Sequence, residues 1–130
     1  MSPHPGEVWL ADLGLSAKTR PVVIVSRFDQ DPPRALALYV PLTTQNRLSR
    51  YEVPLPKLSF LDRDSVANVQ GLASIPTVRL ERKLGRLPEK VMAELRSALL
   101  FALDLKLDPR MPPALRTKPA ARTVCALIVQ

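Results

Sequence analysis

The pattern of apolar and polar residues along the chain predicts several short strands followed by one helix. Glu7 to Asp12 is interpreted as the first strand, which rests on its β-forming residues more than on strict alternation. Val22 to Val25 is an uninterrupted β-branched run, and this predicts a strand buried on both faces. Pro21 is expected at the start of that strand, because proline cannot donate a hydrogen bond to a central ladder.

Three more strands and a short extended piece are predicted before the helix. Their boundaries follow prolines, glycines and polar clusters, which are typical of turns. The predicted segments are a third strand at Ala35–Leu42, a fourth strand at Tyr51–Leu55 held at a sheet edge by Pro54 and Pro56, a fifth strand at Ser65–Gln70 ending at Gly71, and a turn with a short extended piece within Leu72–Leu80.

One helix is expected from Pro88 to near Leu105. Proline suits the first helical position because its missing N–H would have no partner there, and Glu89 complements the helix dipole. Apolar residues then recur at helical spacing and predict a stripe that faces the sheet or a partner. The members of this stripe are Val91, Met92, Leu95, Leu99, Ala102 and Leu103.

The chain has 130 residues, of which 46% are hydrophobic, and this predicts one domain over residues 1–105. From Lys106 to Gln130 the composition becomes basic and proline-rich, which predicts a mobile tail. The alternative is that the apolar residues Val124 to Val129 add a strand to this chain or to a neighbour.

Charge and composition narrow the chemistry. A net charge of +7 favours a polyanionic partner. Cys125 is the only cysteine, which excludes an intrachain disulfide and favours a reducing compartment. The sequence shows neither a leader nor a membrane-spanning run, so a cytoplasmic protein without membrane contact is expected. His4 is the only histidine and no phosphate-binding glycine loop is present, so neither a metal nor a cofactor is expected.

The remaining polar residues suit phosphodiester chemistry. An arginine fork can hold two phosphate oxygens and stabilise the charge that develops on them. If the substrate is RNA, its 2′-OH supplies the nucleophile. Arg20 and Lys18, at the end of the loop after the first strand, are candidates for such a site. The alternative for both is an ordinary solvated loop.

Four ordered motifs resemble the MazF/PemK family of toxins from toxin-antitoxin modules. The similarity covers about residues 5 to 105. The motifs are Gly6-Glu-Val-Trp9, Arg20-Pro21 followed by Val-Val-Ile-Val-Ser26, Val40-Pro-Leu-Thr-Thr-Gln45, and Arg79-Leu-Glu-Arg-Lys-Leu-Gly-Arg-Leu-Pro88 with the helix after it.

The resemblance implies a mainly β fold with a C-terminal helix, in which a strongly bent antiparallel sheet forms an SH3-like barrel. It also implies a homodimer and a sequence-selective, metal-independent endoribonuclease that cuts single-stranded messenger RNA. The products would be a 2′,3′-cyclic phosphate and a 5′-hydroxyl, and a cognate antitoxin would block the RNA groove.

Residue roles also follow from the resemblance. Arg20 is assigned to phosphate stabilisation, with general acid work as a further role, and Thr43 to orienting or relaying the proton of the 2′-OH. The residues assigned to substrate binding are Lys18, Thr19, Thr44, Gln45, Asn68 and Gln70.

The chain departs from the family pattern at the end of the fifth strand. Many members carry an Asp-Gln there with an arginine soon after, whereas this chain has Asn68, Gln70 and Ala73. Asn68 and Gln70 either read base edges or bond to nearby backbone. Trp9 is expected to pack in the core rather than stack on a base. The departure favours the alternative function, a non-catalytic module that binds nucleic acid or protein on the same fold.

Overall fold

The computed structural model describes residues 2–14, 19–106 and 110. In it the chain folds into an antiparallel sheet and one α-helix. Two single-turn 3₁₀ helices, at Val69–Gly71 and Thr77–Arg79, flank the sixth strand. The regular elements are β1 (Glu7–Asp12), β2 (Thr19–Ile24), β3 (Leu36–Thr43), β4 (Glu52–Pro54), β5 (Val66–Asn68), β6 (Ala73–Pro76), β7 (Leu80–Arg86) and α1 (Glu89–Ala102).

The strands follow the spatial order β4-β5-β3-β2-β1-β7. β6 lies off this path and pairs with the first half of β3, from Leu36 to Tyr39, whereas β5 pairs with Leu42 and Thr43 at its end. No pairing among the described residues joins β4 to β7, so the sheet does not close. The predicted fold class, an antiparallel sheet with a C-terminal helix, is confirmed, and β4 lies at the predicted edge.

Two apolar clusters pack on the two faces of the central strands. Val23 belongs to the cluster that α1 covers, whereas Val22 and Ile24 belong to the cluster with Ala37 and Ile75. Val22, Val23 and Ile24 are all fully buried. The prediction of a strand buried on both faces is confirmed for Val22 to Ile24, whereas Val25 follows the end of β2 and is half-buried.

Pro21 does not start its strand, contrary to the sequence prediction. β2 begins at Thr19, which makes Pro21 its third residue. Pro21 lies opposite Leu10 of β1, but the pairing of β2 with β3 begins only at Val22. At Pro21 the strand therefore has a neighbour on one side only, and the missing N–H is tolerated as on an edge.

The fifth strand is shorter than predicted. It ends at Asn68, and Val69 to Gly71 form a 3₁₀ turn. Gly71 is needed there because a Cβ atom would lie 2.9 Å from Pro41 Cδ. This close approach occurs where the edge of β3 passes from β6 to β5.

The helix begins one residue later and ends about three residues earlier than predicted. Pro88 is the N-cap, with φ −58° and ψ 149°, and Glu89 is the first helical residue. The helix ends at Ala102, because Asp104 adopts a left-handed φ of 54°. Leu103 is 50% exposed, so its place in the predicted apolar stripe was wrong. The buried helix residues are Val91, Met92, Ala93, Leu95 and Ala98.

Most of the predicted tail, residues 106–130, lies outside the described residues, as do Cys125 and Val124 to Val129. The domain boundary near residue 105 therefore stays a prediction. Among the helical residues that the structure describes, none belongs to a segment long and apolar enough to cross a membrane.

Candidate active site

An open groove of about 900 Å³ lies beside the C-terminal end of β3. Strands β1, β2, β3 and β7 and the connection between β4 and β5 all contribute to it. The polar residues that line it are Arg20, Thr43, Thr44, Gln45, Asp62, Arg63, Ser65 and Arg82, and the apolar ones are Leu10, Pro21, Leu42, Phe60, Leu61 and Leu84.

Arg20 is the second residue of β2 and reaches the groove from the start of that strand. The strand places it opposite Ala11 of β1, and its side chain is exposed. Pro21 follows it on the groove wall. Because proline restricts the backbone of the residue before it to extended conformations, Arg20 is presented from a stiff segment.

Thr43 reaches the groove as the last residue of β3, opposite Val66 of β5. Its Oγ1 accepts a hydrogen bond from the backbone N–H of Gln45 at 3.2 Å. This contact orients the side chain and leaves the hydroxyl hydrogen able to donate to another group. Thr44 and Gln45 continue along the groove and are exposed.

Four of the eight predicted site residues therefore share one groove, namely Arg20, Thr43, Thr44 and Gln45. Lys18 lies outside the described residues. Thr19, Asn68 and Gln70 do not line the groove.

Asn68 has a structural bond of its own. Its Oδ1 accepts a hydrogen bond from the backbone N–H of Gln70 at 3.1 Å and so caps the 3₁₀ turn. Of the two interpretations from the sequence, bonding to nearby backbone is the one that this geometry supports for Asn68. Gln70 is exposed beside it.

The sequence analysis missed one wall of the groove, the second wall, which β7 and the β4–β5 connection form. Arg82 comes from β7, which was not recognised as a strand because LERKLGR is mostly charged and contains a glycine. Asp62 and Arg63 come from the β4–β5 connection, which was not assigned to the site. The only signal for Arg82 was its place in the last family-like motif.

Within the second wall, Phe60 packs the β4–β5 connection against β7. A Cβ atom on Gly85 would lie 2.9 Å from Phe60 Cγ, so only glycine leaves space for the ring. Within the same connection, the Leu61 N–H donates to the Leu58 carbonyl at 3.1 Å and the Ser65 hydroxyl to the Arg63 carbonyl at 3.1 Å. These local bonds shape the segment that carries Asp62 and Arg63, and the Phe60 ring packs that segment on β7.

The charges of the groove are unbalanced. Three arginines, Arg20, Arg63 and Arg82, face one carboxylate, Asp62. Among residues 2–14, 19–106 and 110, the guanidinium groups of these arginines have neither an ion-pair nor a hydrogen-bond partner; the ion pairs in that part of the chain involve other basic residues. Such a surface attracts anions.

Basic residues beside the groove are paired instead with Glu7. Its buried carboxylate lies 2.9 Å from Lys83 Nζ and 3.5 Å from an Arg86 nitrogen. Burial raises the pKa of Glu7, but hydrogen bonds from the His4 backbone, Lys83 and Trp9 outweigh it and hold the pKa below its usual value. The Trp9 indole donates a hydrogen bond to the Glu7 carboxylate at 3.1 Å. Trp9 also packs against the apolar cluster that contains Val22 and Ile24, as expected for a structural tryptophan.

The groove contains no cluster of metal-binding side chains. Within the described part of the chain, no group of three or more histidine, cysteine, aspartate or glutamate residues is placed to hold a metal ion.

Comparison with known proteins places the chain in a family. Residues 4–103 match the model of the PemK-like, MazF-like toxin of type II toxin-antitoxin systems. The chain belongs to this family. The family predicted from the sequence is thereby confirmed, and with it the prediction of a MazF-like endoribonuclease toxin.

Individual relatives agree with this membership. The chain is 35% identical over 103 residues to the probable endoribonuclease MazF5 of Mycobacterium tuberculosis, covering 78% of this chain and 94% of the relative. The solved structure of Mycobacterium tuberculosis toxin MazF-mt6 is 30% identical, with a TM-score of 0.69, covering 78% of this chain and 99% of that one. A mycobacterial endoribonuclease in complex with its cognate antitoxin is 26% identical, with a TM-score of 0.71, covering 82% of this chain and 99% of that one.

Proposed function

We propose that this toxin cleaves single-stranded messenger RNA in the groove between Arg20 and the β4–β5 connection, without a metal ion. The observation that carries the proposal is the convergence of Arg20 and Thr43, from two different strands, on one groove whose arginines have no ion-pair partner among the described residues. The substrate supplies its own nucleophile, the 2′-OH, so the protein must position the phosphate and move protons.

In the proposed reaction, the 2′-oxygen attacks the adjacent phosphorus and the bond from phosphorus to the 5′-oxygen breaks. Arg20 holds the non-bridging phosphate oxygens and stabilises the charge that grows on them. Its guanidinium also protonates the leaving 5′-oxygen, because an alkoxide is a stronger base than a deprotonated guanidine. The products are a 2′,3′-cyclic phosphate and a 5′-hydroxyl.

Thr43 acts on the other proton. Since its Oγ1 already accepts from the Gln45 N–H, its orientation is set before RNA binds. It accepts the 2′-OH proton while its own hydroxyl proton passes to a water molecule or to Asp62, the one carboxylate on the groove. Thr44 and Gln45 contact the RNA beside the cleavage site, Lys18 adds phosphate binding, and Thr19 and Gln70 are assigned to more distant contacts.

The proposed partners are a second copy of the chain and an antitoxin, in the cytoplasm. Leu36 and Leu38 of β3 are 43% and 45% exposed, and two apolar side chains on one face of a strand support a protein contact there. A related endoribonuclease was solved with its cognate antitoxin, which supports a partner of that class here. Light scattering of the purified protein would test the dimer.

The test of the proposed function is cleavage of a long single-stranded RNA in EDTA. Discrete cuts with 5′-hydroxyl ends are expected from the wild type and are expected to disappear in Arg20→Ala and Thr43→Ala. Arg34→Ala is the matched control, because Arg34 is exposed in the β2–β3 connection and does not line the groove. RNA that is bound but stays intact would favour the alternative, a non-catalytic binding module.

A further inference from the structure

We propose that Arg63 and Arg82 form a second phosphate subsite, which holds the RNA backbone next to the phosphate that is cleaved. The inference rests on the proposed function, since it assigns these two residues to the same RNA. They stand on the wall formed by the β4–β5 connection and β7, whereas Arg20 comes from β2.

The register of β7 directs Arg82 into the groove. Arg82 and Leu84, two residues apart, both line it, while Lys83 between them bonds to the buried Glu7 at 2.9 Å. Successive side chains of a strand point to opposite faces, so Arg82 and Lys83 face opposite ways. Leu84 lies at a register shift between β7 and β1 and still lines the groove. Arg82 therefore faces the groove, where a ligand can reach it, whereas Lys83 faces Glu7.

Strand pairing also separates Arg82 from the proposed reaction centre. Arg82 lies opposite Leu10, and Leu10 lies opposite Pro21, the residue after Arg20. Two strand spacings separate the backbones of β7 and β2 by about 10 Å. The two guanidinium groups thus approach the groove from different walls, which suits successive phosphates of one strand.

Arg63 is presented by an anchored segment. The Phe60 ring fills the space above Gly85, and the Ser65 hydroxyl donates to the Arg63 carbonyl at 3.1 Å. A side chain on such a segment loses less conformational entropy when it binds a ligand. The anchoring to β7 also keeps Arg63 on the same wall as Arg82.

The charge of the wall points to a phosphate ligand. Within the described residues neither Arg63 nor Arg82 has an ion-pair partner, although Lys83 and Arg86 on the same strand both contact Glu7. Like charges that share a groove repel each other, and an anion bound between them removes this cost. A guanidinium fork matches the geometry of two phosphate oxygens.

The experiment measures RNA affinity as a function of salt for Arg63→Gln, Arg82→Gln and the double variant. The probe is a fluorescent single-stranded RNA with a single 2′-deoxynucleotide at the mapped cleavage site, which removes the nucleophile and leaves every phosphate in place. Arg34→Gln is the matched control for loss of one exposed positive charge outside the groove. Thermal unfolding verifies that all variants are folded.

Each groove substitution is expected to weaken binding roughly tenfold. Each is also expected to lower the slope of log affinity against log salt by about 0.7, the value for one lost phosphate contact on a single strand. On cleavable RNA, KM should rise while kcat at saturating RNA is nearly unchanged, because the contact exists before and during the reaction.

A salt slope equal to that of Arg34→Gln in both single variants would overturn the subsite. So would a fall in kcat with unchanged affinity. Failure of the proposed function has a different signature, since the wild type would then leave RNA intact. In that event the salt slopes, measured on the unmodified RNA, would still decide whether Arg63 and Arg82 bind phosphate.

Discussion

The ring of Phe60 occupies the space where a side chain on Gly85 would stand, with Phe60 Cγ 2.9 Å from the position of a Cβ atom. Gly85→Ala is therefore expected to push Phe60 away from β7 and to loosen the segment that carries Arg63. Overpacking of this kind costs about 1–3 kcal/mol of unfolding free energy. Chemical denaturation and the KM for RNA would measure the two effects.

The smaller ring-free variant Phe60→Leu provides the control for that substitution. Combined with Gly85→Ala, it should recover part of the lost stability, because the added methyl group then has space. If the two substitutions were simply additive in the free energy of unfolding, the contact between these residues would not be the cause.

Removal of the Thr43 hydroxyl is expected to lower kcat by about 10²–10⁴-fold, the usual contribution of a positioned proton-transfer group. Thr43→Val keeps the shape of the side chain but loses the acceptor of the Gln45 N–H. Thr43→Ser keeps the hydroxyl and should retain most of the activity. Steady-state kinetics on a short RNA would measure kcat for both variants. Equal losses of kcat in both would argue against the proton-transfer role.

The Glu7 carboxylate is expected to make stability depend on pH in the acid range. Because its pKa is held below the unfolded value of about 4.3, its contribution is present above that pH and disappears as the pH falls through the native pKa. Glu7→Gln should cost about 1–3 kcal/mol at neutral pH, and the difference from wild type should shrink in acid.

Unfolding of wild type and Glu7→Gln at neutral and acid pH would measure this difference. Glu81→Gln is the matched control, because Glu81 is exposed on β7 and belongs to none of the ion pairs of the described residues. A difference that stays constant with pH would show that Glu7 acts by packing rather than by charge.

Two leucines of the predicted helix stripe are expected to differ in their importance for stability. Leu95 is fully buried, whereas Leu103 is 50% exposed. Leu95→Ala should cost about 2–5 kcal/mol, as a large cavity in a core does. Leu103→Ala should cost much less in a urea titration, and similar losses would place Leu103 in an interface absent from the single chain.

Residues 106–130 are expected to add non-specific RNA affinity, because they carry five basic residues against Asp108. A chain that ends at Leu105 should bind RNA with a flatter salt dependence than the full chain. An unchanged slope would discard this role and leave an acidic protein segment as the partner of the tail.

The sequence predicted the strands whose residues carry their own signal. Val22 and Val23 are β-branched and buried, and the strand that contains them was identified within a few residues. β7 has no such signal, because its residues are mostly exposed and charged. It becomes a strand by pairing with β1, a non-local contact that no local pattern reports.

The same limit applies to the groove. Arg20 and Thr43 were found because the family-like motifs contain them, and the fold brings both to one groove. Asp62 and Arg63 join them through a non-local contact, in which Phe60 of their segment packs on Gly85 of β7. For Asn68 the sequence left base reading and backbone bonding open, since a polar side chain at a strand end can do either, and the structure shows its Oδ1 capping the 3₁₀ turn.

The groove has a consequence for biosynthesis. Its lining extends from Leu10 to Leu84, with β1 and β7 side by side although they are the first and the last strand of the sheet in chain order. A nascent chain thus cannot assemble the groove until the last strand has left the ribosome. A chain that ends before β7 would hold Arg20 and Thr43 without Arg82 and Leu84, which the last strand adds to the groove.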